Sequence, residues 1–174
     1  MKQKEFSIEA KETFRNVAKK YLEKRKQFLE IANRTPYLSG NDNIIGRIGE
    51  FIAYQYLEDT NRNPQKPNSK TNQGFDFFCD NNTKRIQVKT ITHESKFKQN
   101  SRLKEPWDEF ILIFISENLK VKKMGHITKQ QLQKAINNKF EKYKSFTPQV
   151  TNYMLGEKGL FARHGRIVNA DRYL

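Results

Sequence analysis

GFDFFCDNNTKRIQVK, residues Gly74 to Lys89, places apolar and aromatic runs on either side of Asn81-Asn82. Asparagine tolerates the positive φ angles of a tight two-residue turn, so the stretch predicts a β-hairpin centred on that pair. The register follows: Asp80 opposes Thr83, Phe77 opposes Ile86, Asp76 opposes Gln87, Phe75 opposes Val88 and Gly74 opposes Lys89. Side chains alternate between faces along a strand. One face then carries Phe75, Phe77, Ile86 and Val88, a core pattern, and the other carries Asp76, Gln87 and Lys89. Cross-strand neighbours have Cβ atoms about 5 Å apart, close enough to share one ion.

A divalent-metal site fits these groups. Mg²⁺ takes oxygen ligands, one or two of them from protein carboxylates, and keeps several waters. Asp76 offers a carboxylate oxygen, Gln87 its amide oxygen and Val88 its backbone carbonyl, while Lys89 can hold a phosphate or a water and stabilise developing negative charge. The plain alternative is a polar solvent face on an edge hairpin.

GFDF, an eleven-residue step and then QVK resemble the PD-(D/E)XK nuclease superfamily, the restriction-endonuclease-like fold. There an Asp on one strand and a Glu-or-Gln, any residue, Lys triplet on the next form the metal site. Gly49-Glu50, in GRIGEFIAYQYL, resembles the acidic residue that many members carry on the preceding helix. The resemblance spans residues 43–131, in the order helix, hairpin, strands, helix. Phe75 stands where Pro is common, and Gln87 stands where Glu is common, which removes one anionic ligand. The resemblance implies catalytic roles for Glu50, Asp76, Gln87 and Lys89, with Asp76, Glu50, Gln87 and Val88 around Mg²⁺ and Mn²⁺ as its substitute. Restoring the acid by Gln87→Glu is then expected to be mild and to tighten metal binding.

Upstream, residues 43–59 predict a helix capped by Asn41 or Asp42, with Ile44, Ile45, Ile48, Phe51, Ile52 and Tyr56 on a broad apolar face. Glu50 lies on another stripe, with Gly46 and Ala53. Gly46 and Gly49 each cost about 1 kcal/mol relative to Ala within a helix, a cost that close approach to a sheet or a phosphate would offset. Residues 7–33 predict a long amphipathic helix with Phe14, Val17, Ala18, Tyr21, Leu22, Phe28, Leu29 and Ala32 on one face, Ser7 as cap and Pro36 after its end. Its other face is basic, with Lys19, Lys20, Lys24, Arg25 and Lys26. Residues 60–73 read as a long polar loop in which Arg62, Lys66 and Lys70 either reach a DNA groove or belong to a mobile connector.

Downstream, residues 92–105 are rich in Lys96, Lys98, Arg102 and Lys104. With Lys84 and Arg85 they are the candidate nucleic-acid contacts. EFILIFIS, residues 109–116, is a continuous apolar run expected of a strand buried on both faces. A further strand follows near residues 119–127, and Thr128 caps a helix over 129–143. His164 reads as a solvent or phosphate contact. The three histidines have no ligand spacing, so a His-based zinc site is not expected.

With 36% hydrophobic and 12% aromatic residues, 13 of them Phe, the chain can build a core and is not a disordered polyelectrolyte. Lys plus Arg number 33 against 19 Asp plus Glu, a net charge of +14, which suits a polyanionic partner. No apolar run is long enough for a membrane span, and MKQKEFSIEAKE lacks the apolar centre of a secretory leader. A cytoplasmic location is therefore expected. Cys79 is the only cysteine, so no internal disulfide can form, and a mid-strand seat makes it a small buried hydrophobe.

The expected fold is α/β: a restriction-endonuclease-like mixed sheet of four to five strands flanked by helices, with a long N-terminal helix. One nuclease domain would span residues 1–174, with the N-terminal helix at 7–33, the core at 43–131 and a C-terminal extension at 145–174. The resemblance implies a Mg²⁺-dependent endonuclease acting on double-stranded DNA, in restriction or phage defence. A structure-specific resolvase or repair nuclease is one alternative, and a non-catalytic DNA-binding module that keeps the fold is another. Sequence specificity would come from loops and from a homodimer.

Overall fold

A computed structural model describes residues 8–34, 44–67, 74–92, 102–116, 120–138 and 145–173. The chain divides into two compact units, Met1–Asp42 and Asn43–Leu174. The first holds helix α1, Ile8–Arg34, within one residue of the amphipathic prediction at each end. Along it Lys20, Lys24, Glu23 and Glu30 are exposed and Ala32 is buried. Ser7 and Pro36 lie outside the described residues. So do the side chains of Phe14, Val17, Ala18, Tyr21, Leu22, Lys19 and Lys26.

The second unit is α/β. Helix α2, Ile44–Asp59, precedes strands β1, Phe77–Cys79, β2, Lys84–Thr92, β3, Glu109–Ile115, and β4, Val121–Thr128. Helix α3, Lys129–Asn137, and helix α4, Leu160–His164, lead to β5, Arg166–Asn169. The five strands lie side by side in sequence order. β1 is antiparallel to β2, β2 is parallel to β3, and β4 is antiparallel to both β3 and β5. A parallel pair needs a crossover of a dozen or more residues, which the chain between Thr92 and Glu109 provides.

The hairpin register is as read, with Phe77 opposite Ile86. The turn is wider than two residues. Asp80, Asn81 and Asn82 all take left-handed backbone angles, with φ of 52°, 55° and 65°, and Thr83 N–H donates to the Cys79 carbonyl at 3.1 Å. Only short polar side chains enter that region readily, which explains the DNN run.

The sheet separates two apolar layers, and β3 shows why. Ile111, Ile113 and Ile115 face the layer that contains Ile52, Ala53, Tyr56 and Leu57 of α2. Phe110 and Leu112 face the layer built from Trp107, Leu132, Ala135, Met154 and Phe161. Alternate residues of one unbroken apolar run thus bury on opposite sides, as a central strand requires. Thr128 closes a capping box with Gln131 at the start of α3, as its sequence indicated. The helix is shorter than expected, because Asn138 caps it after Asn137 and residues 139–144 lie outside the described residues.

α2 approaches the sheet closely at one point. A Cβ at Gly49 would lie 1.7 Å from Thr90 Oγ1 and 2.9 Å from Thr90 Cβ, so the helix meets β2 through bare backbone. The glycine cost within the helix is offset by this contact. It also fixes where the next residue, Glu50, leaves the helix.

Candidate functional site

Asp76 stands immediately before β1, and its side chain does what another strand residue would do. Asp76 N–H donates to the Ile86 carbonyl at 2.8 Å, while its carboxylate accepts the Val88 N–H at 2.7 Å. The carboxylate therefore replaces a backbone carbonyl at the end of the ladder, which is why β1 begins only at Phe77. This moves Asp76 off the polar face that the alternating pattern assigned to it. Phe75 departs from its expected core seat as well and packs edge-on against Phe78, centroids 4.7 Å apart.

Burial raises the Asp76 carboxyl to a pKa of about 6, and the neighbouring Glu50 carboxylate pushes the same way. The Val88 N–H, Lys89 and Lys66 oppose them. Three charged side chains from three segments thus bear on Asp76: Glu50 from α2, Lys66 from the loop after α2, and Lys89 from β2. Glu50 accepts a hydrogen bond from the Lys66 ammonium, and both side chains are largely covered. The same ammonium lies 5.0 Å above the Phe77 ring centroid.

Gln87 has other partners. Its amide nitrogen donates to the Gly74 carbonyl and, at 3.2 Å, to the Lys104 carbonyl, and its oxygen accepts the Lys104 N–H at 3.0 Å. At 2% exposure, the carboxamide is a buried clamp between the strand and two backbone segments. The ligand oxygen expected of Gln87 is thus engaged elsewhere. Gly74 fits this clamp because its φ of 82° and the 2.6 Å separation of a would-be Cβ from the Glu105 carbonyl exclude a side chain. Val88 gives its N–H to Asp76, and its side chain is buried on the α2 layer.

The donor set fits a divalent cation. Two carboxylates from separate elements, Glu50 and Asp76, act on one another electrostatically, burial raises the proton affinity of Asp76, and the Lys66 ammonium stands beside Glu50. Among the described residues no three His, Cys, Asp or Glu side chains form a cage. Mg²⁺ does not need one, since it commonly binds through one or two carboxylates and waters.

The candidate nucleic-acid contacts divide. Arg102 and Lys104 are exposed on a segment anchored from within by the buried Leu103 and Trp107. Arg102 pairs with Gln149 as an isolated bridge, and Trp107 Nε1–H donates to the Phe146 carbonyl at 3.0 Å. Lys84 is exposed at the start of β2. Arg85 instead grips Asp108 with two guanidinium bonds of 2.7 and 3.0 Å. That grip raises the Arg85 pKa and lowers that of Asp108. Lys96, Lys98 and Lys70 lie outside the described residues. Arg62, read as a loop cation, is turned inward onto Glu109 and Asp80.

That inward arginine belongs to a second charged cluster, which meets α2 at Tyr56. Glu109 accepts from Arg62 at 2.9 Å, and its Oε2 lies 2.6 Å from His126 Nε2. Arg166 reaches His126 Nδ1 at 2.8 Å, and the Tyr56 hydroxyl is 2.9 Å from the same atom. A guanidinium only donates, so Nδ1 must carry the lone pair and Nε2 the proton given to Glu109. His126 is therefore neutral. Burial lowers its pKa, Glu109 resists, and Arg166 and Arg62 add to the lowering. Burial alone would raise Glu109, but the bonds from His126 and Arg62 hold it at about 2. The sequence offered no sign of this cluster, because its members lie on five segments.

No protein-family model matches the chain, and no curated protein matches it.

Proposed function

We propose that the chain is a divalent-metal-dependent endonuclease that hydrolyses DNA phosphodiester bonds, a member of the PD-(D/E)XK superfamily in a Gln-x-Lys form. The observation that carries the reading is the buried Asp76 carboxylate, held on the Val88 N–H at 2.7 Å, with Glu50 of α2 and Lys89 of β2 bearing on it electrostatically. Asp76 and Glu50 would hold the metal, with the Val88 carbonyl as a further oxygen. Mg²⁺, when bound, supplies a Lewis acid and a water of lowered pKa. Lys89 bears on Asp76, where its ammonium neutralises charge that builds on the scissile phosphate. Gln87 acts through the backbone: it ties β2 to the segment that carries Lys104. Lys84, Arg102 and Lys104 meet the sugar-phosphate chain and position the duplex.

The commitment of Gln87 to Gly74 and Lys104 favours one second reading, a DNA-binding module without cleavage. Incubation with supercoiled plasmid and with branched DNA, in Mg²⁺ and in EDTA, separates the readings. Discrete Mg²⁺-dependent fragments support a restriction-type enzyme, and cuts at branches support a resolvase. Binding with no cuts in either substrate would leave only the module.

A further inference from the structure

Lys66 is placed by the backbone rather than by chance. Gln65 exchanges two hydrogen bonds with Phe78, Gln65 N–H to the Phe78 carbonyl at 2.7 Å and Phe78 N–H to the Gln65 carbonyl at 2.8 Å. Because β1 has β2 on its other side, Gln65 extends the sheet by one bridge at its outer edge. The next residue is thereby held over Phe77 and against Glu50. The loop that carries it is pinned a second time by Arg62 on Asp80 and Glu109. Lys66 is thus delivered to the acidic pair from a fixed stretch of chain, and its side chain is only 23% exposed.

We infer that Lys66 is the resident counter-ion of the Glu50–Asp76 pair and that a divalent cation enters only by displacing it. The inference rests on the reading of Glu50 and Asp76 as metal ligands. A tethered ammonium competes with a free ion at an effective concentration in the millimolar range. The apparent metal affinity is then the intrinsic affinity scaled by the fraction of molecules in which Glu50 is free. Mg²⁺ gives up its waters reluctantly, so this competition weighs heavily on it. Displacement would also release a cation beside the site at the moment the metal binds, available to a DNA phosphate. The competing view is an ordinary partly exposed ion pair, which contributes little and competes little.

Mn²⁺ binding without DNA, followed by the electron paramagnetic resonance of the free ion, tests this independently of cleavage. The proteins are wild type, Lys66→Met, Lys66→Gln, Lys66→Arg, Glu50→Gln and, as a charge control at an exposed helix position, Lys134→Met. Thermal melting establishes that each is folded. Lys66→Met and Lys66→Gln should tighten Mn²⁺ at least tenfold, Lys66→Arg should stay near wild type, and Lys134→Met should change it less than threefold. Glu50→Gln should weaken it. If both neutral Lys66 variants bind Mn²⁺ as wild type does, or more weakly, while Glu50→Gln still weakens binding, the gate is wrong and the metal site stands. If neither wild type nor the Lys66 variants bind Mn²⁺, the metal reading falls and the gate with it.

Discussion

His126 Nε2 and Glu109 Oε2 lie 2.6 Å apart in the core, with side chains only 4% and 7% exposed. Both groups titrate in the direction that makes acid destabilising. His126 has a folded pKa below its ordinary 6.5, so the unfolded chain takes up its proton first and stability is lost as pH falls below about 6.5. Glu109 is held at about 2 against 4.5, so its contribution, roughly 3 kcal/mol, is complete above pH 4.5 and lost between there and pH 2. Glu109→Gln should cost about 3 kcal/mol at pH 7, because Arg62 would then face the core with one carboxylate fewer. Urea unfolding at several pH values measures both effects. A variant as stable as wild type, with the same fall in acid, would show that the cluster does not carry the stability.

Gly49 should not tolerate alanine. Alanine gains about 1 kcal/mol in helix propensity, but its Cβ would strike Thr90 Oγ1 at 1.7 Å. Overpacking of that kind costs about 1–3 kcal/mol or more and would shift α2, so a net loss of about 2 kcal/mol is expected. Thr90→Ala in the same chain removes the atom that is struck. Its hydroxyl is buried and makes no hydrogen bond among the described residues, so little is lost with it. The double variant should recover most of the loss in a melting experiment. Failure to recover would mean that the helix is held off the sheet by something other than Thr90.

How far these elements were legible depends on their range in the chain. β3 follows from its apolar run, and α2 and α3 from the three-to-four residue period; their starts, and that of β4, fall within two residues of expectation. β5 has only four residues, mostly exposed, with no alternation to betray it. Glu109, His126, Tyr56, Arg62 and Arg166 are joined by bonds between residues 17 to 70 apart in the chain, and no local pattern records that. Asp76 is misplaced by the pattern, because alternation assumes that each side chain leaves the plane of the sheet. Here a carboxylate substitutes for the backbone within that plane. Gln87 was legible as a polar residue on a strand, but its partners at Gly74 and Lys104 depend on a loop whose path the pattern does not encode.

Arg85 and Lys104 should differ in DNA binding. The log of the binding constant should fall linearly with log salt, by about 0.9 for each phosphate contacted. Lys104 is exposed and should count for about one contact, so Lys104→Ala should lower the slope by about that amount. Arg85 is already matched to Asp108 at 2.7 and 3.0 Å, so Arg85→Ala should change the slope much less and reduce stability instead. Salt titrations in Ca²⁺ with a labelled duplex, run beside melting curves, provide the comparison. Equal losses of slope would show that Arg85 leaves Asp108 for a phosphate.

Glu50→Gln should raise the Mg²⁺ concentration needed for half-maximal cleavage at least tenfold, about 1.4 kcal/mol. With Gln87 engaged on the backbone, Glu50 is the other carboxylate that bears on Asp76 among the described residues. Glutamine keeps the shape and an oxygen but loses the charge that draws the metal. Cleavage rate against Mg²⁺ concentration is the measurement, and the maximal rate in saturating metal should be far less affected. A variant with the wild-type metal requirement would leave Glu50 as a partner of Lys66 alone.

Gln87→Glu reverses the expectation drawn from sequence. With Gln87 as a metal ligand, restoring the commoner acid is expected to be mild. In the folded chain its amide donates to the Gly74 and Lys104 carbonyls, and its oxygen accepts the Lys104 N–H. A carboxylate keeps the acceptor and loses both donors. Two carbonyl oxygens would then face a buried negative charge, and a loss of about 3 kcal/mol is expected at pH 8. A protonated glutamic acid can donate one bond, so its folded pKa should be raised and the loss should shrink as pH falls toward 4. Gln87→Met, which brings no charge, should lose less than Gln87→Glu at pH 8 and should not vary with pH in this way. Urea midpoints for the three proteins at pH 8 and pH 5 decide the matter. If Gln87→Glu matches wild type at pH 8 and needs less Mg²⁺ for cleavage, the carboxamide is not a clamp and position 87 belongs to the metal.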